Sequence, residues 1–227
     1  MTSTAILIPA RYGSTRFPGK PLAALDNVPM IRRVFERCRK TDFDVYVLTD
    51  DIRIADLFAP HQVYYDTYEY ANGTERCAGA IRANQFSKYD QFINVQGDMP
   101  DVTAELINKC HTLLNYYPVS TVYATMPQKQ QNDPNTVKCV HASEHALWFG
   151  RGITGYGSWH LGVYGYKRNA LEMYRDLPVP EEERIEQLEQ LRWLKNSWQI
   201  GINPVYYKGI EINSPEDVDA WHNKNFQ

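Results

Sequence analysis

Along residues 5–114, short apolar runs alternate with segments of helical period, and this rhythm most limits the folds open to the chain. The stretches 5–8, 45–48, 62–65 and 91–95 read as strands. Between them, 29–40 carries Met30, Val34, Phe35 and Cys38 at helical spacing; 51–58, 74–84 and 103–114 also read as helices. Such a βαβα order predicts an α/β fold: a mostly parallel sheet flanked by helices. Ligands of such sheets bind beyond the carboxyl ends of the strands. The loops after Ile8, Leu48 and Val95 are therefore expected on one rim, with Arg11–Lys20 near Asp98.

The second half reads differently. Strands are expected at 120–126, 137–141, 146–149 and 159–166, with fewer helices between them. The stretch from about 118 to 165 is expected as a β-rich insertion or dimerisation element within one domain spanning 1–227. One long helix is expected over 181–198, because Ile185, Leu188, Leu191, Leu194 and Trp198 form a single apolar stripe. A strand at 199–205 and a helix capped by Ser214, with Pro215 in its first turn, complete the order. At 227 residues, 43% of them hydrophobic, the chain can bury a core. A formal net charge of −3 argues against a general nucleic-acid binder. Cys38, Cys77, Cys110 and Cys139 are scattered without metal-ligand spacing and read as reduced thiols. No apolar run is long enough to span a bilayer, and the N-terminal one lacks a basic flank, so the expected location is the cytoplasm.

The first loop, PARYGSTRFPGKPL, looks at first like a phosphate-binding P-loop. Its spacing excludes that: five residues separate Gly13 from Gly19, and Pro21 follows Lys20 where a magnesium-binding hydroxyl is required. It still gathers Arg11, Arg16 and Lys20 at one strand end, which suits a polyphosphate or an ordinary basic turn. In VQGDMP, Asp98 stands either as a magnesium ligand opposite that loop or as a turn residue before the next helix. NGTER, 72–76, offers backbone amides to an anion or a base edge, or is simply a turn capped by Thr74. WHLGVYGY places His160, Tyr164 and Tyr166 on one face, and LEQLR places Glu189 and Gln190 off the apolar stripe.

The order of these pieces is more specific than any one of them. PARYGSTRFPGKPL, TDD, NGTER, NVQGDMP, DPNTVKCV, HLGVYGY, LEQLR and SPEDV together resemble the 3-deoxy-manno-octulosonate (Kdo) cytidylyltransferase family, from Ile6 to about Trp221. That resemblance implies a nucleotidyltransferase fold, a homodimer, Mg²⁺, and transfer of CMP from CTP to a 3-deoxy-ulosonic acid. It implies that Ala10, Arg11, Ser14, Arg16 and Lys20, with Asn72, Gly73, Thr74 and Arg76, face the nucleotide, Arg11 and Lys20 acting with Asp98 in catalysis. Gln96, Arg151, His160, Tyr164, Glu189 and Gln190 would then face the sugar acid, Arg151 meeting its carboxylate. Asp98 would hold the metal. The family's second metal carboxylate corresponds to Asn213 here, and Glu211, two residues earlier, is positioned to replace it if the segment is extended. Met99 stands where the family commonly has Glu, and GITGYGSWH is shorter than the usual connection, so the sugar is expected to be Kdo, a modified Kdo or another ulosonic acid. Two rivals stand beside this reading. One is a glycosyltransferase using a nucleotide sugar, although only one Asp is present where that class uses Asp-x-Asp. The other is a catalytically weakened binding or regulatory relative.

Overall fold

β1 (Thr4–Ala10) is buried along almost its whole length, the pattern of a central strand covered on both faces. The computed structural model describes residues 2–13 and 17–225. A two-residue ribbon, β2 (Ala24–Leu25) with β3 (Val28–Pro29), leads into α1 (Met30–Cys38). Then follow β4 (Asp44–Thr49), α2 (Ile52–Ala55), β5 (Val63–Tyr65), α3 (Gly73–Ala80), β6 (Gln91–Val95) and α4 (Ala104–Thr112). The alternation expected from the sequence is present element for element, with ends shifted by a few residues.

The second half gives β7 (Val119–Ala124), β8 (Lys138–Ala142), β9 (His145–Gly150) and β10 (Ser158–Lys167). After them come α5 (Arg168–Met173), α6 (Glu181–Glu186), α7 (Leu191–Lys195), β11 (Ile200–Pro204) and α8 (Pro215–Asn225). Among the described residues one nine-stranded sheet runs β5-β4-β1-β6-β10-β7-β11-β9-β8. The expected mostly parallel sheet is parallel only from β5 to β6 and again between β7 and β11. β10 enters between β6 and β7 antiparallel to both, and the β8–β9 hairpin closes the far edge. Strands from 118–165 thus extend the central sheet itself.

Alternate residues of β1 feed opposite faces. Ile6 and Ile8 join a core with Val34 and Phe35 of α1 and Leu106 and Ile107 of α4. Ala5 and Leu7 join another with α3, Leu171 of α5 and Trp193 of α7. A small third core of Leu25, Met30, Ile212 and Trp221 docks α8 beside the β2–β3 ribbon.

The single long helix expected over 181–198 is two short ones. Gln187 sits in the left-handed region at φ 54°, and the Gln187 and Leu188 amides both return to the Glu183 carbonyl in a C-terminal cap. The cause lies in a buried ion pair. Arg192 Nε donates to Glu183 Oε2 at 2.8 Å, and the guanidinium also lies over the Tyr174 ring. Nine residues of continuous helix would hold these two side chains about 13.5 Å apart along the axis. The pair forms only if the chain breaks and α7 folds back on α6. Ile185, counted in the apolar stripe, is left 71% exposed, while Leu188 and Leu191 are buried.

Candidate active site

The ends of β1 and β6 bring the first loop against Asp98, as the shared rim requires. Gly19, at φ 71°, donates its amide to the Tyr12 carbonyl and turns the chain so that Lys20 opens a short 3₁₀ turn stiffened by Pro21. Lys20 Nζ then donates to Asp98 Oδ2 at 2.7 Å. Arg11 is exposed at the loop's start, next to buried Ala10; Ser14 and Arg16 lie outside the described residues. Across the rim, the Ile212 amide donates to the Asp98 carbonyl at 3.0 Å and holds residues 211–213 beside it.

Glu211 is the most constrained ionisable group here. Its Oε1 is buried with no hydrogen-bond partner. Burial, and after it the Asp98 charge, pushes the carboxyl up to about 8, against Lys20, Arg151 and the Gly162 amide. Asn213 is tied through its main chain: its backbone N–H and that of Ser214 both donate to Asp217 Oδ2, each at 2.8 Å, at the start of α8.

On the other side of the rim, Asn72 and not Thr74 caps α3. Asn72 Oδ1 accepts from the Glu75 amide at 2.8 Å, and its Nδ2 donates to the Tyr174 hydroxyl at 3.0 Å. The Thr74 amide donates to Glu189 Oε2 at 3.1 Å, so the anion met by this turn is one of the protein's own. Arg76 is buried, paired with Asp50 at 2.5 Å and placed over the Tyr70 ring. These contacts hold Asn72, Thr74 and Arg76 in the wall of the site. A Cβ on Gly73 would lie 3.4 Å from Gln96 Oε1, and one on Gly162 would lie 3.1 Å from Gln96 Cγ. Gln96 is therefore clamped between the start of α3 and the bend in β10.

β10 aims its aromatic ladder at the same place. His160, Tyr164 and Tyr166 follow one another with ring centroids 5.4 and 6.2 Å apart, despite a register shift between Leu161 and Tyr164. Thr121 Oγ1 lies 3.0 Å from His160 Nε2. Burial, with Arg151 adding positive charge, drives the imidazole down to about 3, so it is neutral at physiological pH. The Tyr164 hydroxyl donates to Gln190 Oε1 at 3.0 Å, leaving Gln190 Nε2 buried without a partner. Burial raises Glu189 above the ordinary carboxyl range, opposed by its bond from Thr74. Glu189 and Gln190, which an unbroken helix would present to solvent, face this site because the chain breaks at Gln187.

Arg151 is held by three contacts. Its amide donates to Glu186 Oε2 at 2.7 Å, its Nε to the Glu186 carbonyl at 3.1 Å, and its Nη1 to the Asn135 carbonyl at 2.6 Å. Beneath it lies Lys138, fully buried, its Nζ donating to the carbonyls of Asp133 at 2.6 Å and Arg151 at 2.9 Å. Sequence reasoning missed Lys138, Thr121 and Tyr207. Tyr207 is buried with its hydroxyl unpartnered and feels the charges of Glu211, Asp101 and Asp98. Only Lys138 had a visible signal, a charge opening an apolar strand inside DPNTVKCV.

Residues 5–211 match the family model described as cytidylyltransferase. An 8-amino-3,8-dideoxy-manno-octulosonate cytidylyltransferase from Shewanella piezotolerans is 36% identical, covering 95% of this chain and 96% of its own. A 3-deoxy-manno-octulosonate cytidylyltransferase from Parabacteroides distasonis is 35% identical over 94% of both. Among solved structures, CMP:2-keto-3-deoxy-manno-octonic acid synthetase complexed with CTP superposes with a TM-score of 0.90 at 29% identity, covering 100% of this chain and 99% of that one. A 4-diphosphocytidyl-2C-methyl-D-erythritol synthase from Anaerococcus prevotii shares the fold alone, with a TM-score of 0.68 at 12% identity.

Proposed function

The chain belongs to the cytidylyltransferase family, and we propose that it transfers CMP from CTP to the anomeric hydroxyl of Kdo or a close relative. One observation carries the reading beyond family membership. Buried polar atoms without partners, Gln190 Nε2 and Glu211 Oε1, belong to the same rim as the Lys20–Asp98 pair, as a site built for an absent polar ligand would have.

In the reaction, the sugar hydroxyl oxygen forms a bond to the α-phosphorus of CTP. The bond from that phosphorus to the bridging oxygen breaks, pyrophosphate leaves, and the hydroxyl proton passes to solvent. Lys20 and Arg11, with Ser14 and Arg16, hold the phosphates; Lys20 is already at the rim, paired with Asp98. Arg151 takes the sugar carboxylate, its backbone and Nε fixed by Glu186. Gln96, Tyr164, Glu189 and Gln190 bind sugar hydroxyls. His160, kept neutral by burial, orients the sugar as a hydrogen-bonding group and does not serve as a general acid. Holding two anionic substrates in line supplies much of the rate.

Magnesium fits these residues. Asp98 faces Glu211, and Lys20 is the only cation that hydrogen-bonds the pair among the described residues. An ion of this kind takes one or two protein carboxylates and leaves the rest of its shell to phosphate and water. Asp98 would hold it, and when bound it supplies charge neutralisation at the phosphoryl oxygens and leaving pyrophosphate. We further place the enzyme in the cytoplasm, as a homodimer through the β8–β9 edge, in lipopolysaccharide or surface polysaccharide synthesis. Leu147, 55% exposed on that edge beside Trp148, and four free buried cysteines support this. Among the described residues no helix is long and apolar enough to cross a membrane.

A pyrophosphate-release panel tests the proposal: CTP, UTP, ATP and GTP against Kdo, 8-amino-Kdo and N-acetylneuraminate. Release is expected with CTP and an octulosonate, and Asp98→Ala should lower kcat by about 10²-fold or more. No release from any pair, or near-normal turnover by Asp98→Ala, refutes it.

A further inference from the structure

We propose that Glu211, and not Asn213, supplies the second protein oxygen to the divalent cation held by Asp98. This rests on the cytidylyltransferase reading above and concerns which side chain completes its metal site. Four observations carry it. Glu211 Oε1 is buried and unpartnered beside Asp98. The bond from the Ile212 amide to the Asp98 carbonyl fixes the backbone on either side of Ile212 against the Asp98 turn. The Ile212 side chain is buried in the small core with Leu25, Met30 and Trp221, so the residue immediately before it is directed out of that core. Asn213 begins the turn capped by Asp217 and carries no charge to offer.

The charge balance agrees. With both groups ionised, Asp98 and Glu211 would bring two negative charges; Lys20 hydrogen-bonds Asp98, and the Lys20 and Arg151 charges and the Gly162 amide favour the ionised form of Glu211. Asp98 and Glu211 would together hold a divalent cation, whose charge would favour the ionised form of Glu211 and leave Lys20 available to the triphosphate. An oxygen of Glu211 needs no other protein group displaced to bind, since nothing bonds it now. A hard cation of this kind prefers anionic carboxylate oxygens.

The test uses Mn²⁺ as the probe, its EPR signal reporting binding to the enzyme–CTP complex without sugar. Four variants are compared with the parent: Asp98→Asn, Glu211→Gln, Asn213→Asp, and Glu211→Gln with Asn213→Asp. Glu211→Gln should raise the Mn²⁺ Kd at least about tenfold. Asn213→Asp alone should stay within about twofold, while in the Glu211→Gln background it should recover most of the lost affinity. Melting curves confirm that each variant is folded, and the double variant separates lost ligation from lost structure. Unchanged Mn²⁺ affinity in Glu211→Gln, with weakened binding in Asp98→Asn, overturns the assignment and leaves the reading of Asp98 standing. Unchanged affinity in both variants overturns the two together.

Discussion

Acidifying the metal-free protein from pH 6.5 to 5 acts on two buried groups of the site in opposite directions. His160 is depressed from an ordinary 6.5 to about 3. Its contribution to stability is complete above pH 6.5 and is lost as pH falls toward 3, because the unfolded chain takes up a proton that the folded one refuses. Glu211 is raised from an ordinary 4.5 to about 8. Its contribution is complete below pH 4.5 and is lost as pH rises toward 8, because the unfolded chain releases a proton that the folded one keeps. At about 1.36 kcal/mol per pH unit, each effect amounts to roughly 2 kcal/mol over this window. His111, lowered by burial, adds to the first, and Glu189, raised by burial, adds to the second. The unmodified chain should therefore show a shallow slope that hides two steep ones. Urea denaturation with EDTA present, followed by tryptophan fluorescence at pH 5, 5.5, 6 and 6.5, exposes them. Relative to the parent, Glu211→Gln should lose about 2 kcal/mol more on acidification, and His160→Gln should gain about 2 kcal/mol. Slopes that differ from the parent by less than about 0.5 kcal/mol over the window, or that move in the same direction, refute the opposed-burial account.

Lys138→Met should leave stability within about 1 kcal/mol, since the two lost carbonyl bonds are offset by no longer burying an ammonium. Because those bonds brace the Arg151 backbone, the KM for the sugar acid should rise about tenfold while the KM for CTP stays fixed, as steady-state kinetics would show. Arg192→Met, which strands buried Glu183, should cost about 3–5 kcal/mol by urea denaturation, and adding Glu183→Met should return most of it. Gln187→Gly should stabilise the break between α6 and α7 by about 0.5 kcal/mol, measured the same way, because glycine adopts φ 54° without the Cβ clash.

What the sequence disclosed of the fold follows from what is local. Strands β1, β4 and β6 are runs of apolar residues whose burial needs no knowledge of distant partners, and their parallel order follows from the helices between them. The place of β10 is a different kind of fact. Most of its ten residues are buried on both faces, as in any central strand, yet it pairs antiparallel with both β6 and β7. Pairing is chosen by shape across the whole sheet, and no residue within β10 announces it. The stripe over 181–198 misleads for a related reason. Period alone rates Ile185 as core, but the chain leaves it exposed and folds α7 back so that a charged pair nine residues apart, Glu183 and Arg192, meets in the interior.

The candidate site divides along the same line. Lys20 and Asp98 were legible because each follows a strand on one predictable rim, and they meet at 2.7 Å. Glu189 and Gln190 stood out by order within LEQLR, but their direction depends on the break at Gln187, which depends in turn on the Arg192–Glu183 pair. Asn72, Thr74 and Arg76 were legible as a turn and hold that turn together through bonds to Glu75, Tyr174, Glu189 and Asp50, with Arg76 Nη1 left buried and unpartnered. A motif read from sequence cannot separate an atom that awaits a ligand from one already satisfied by its neighbours. The atoms left over after every internal bond is counted make that separation. At Glu211 the remainder is a single carboxylate oxygen, buried beside Asp98 and bonded to nothing, two residues from the asparagine that brings no charge.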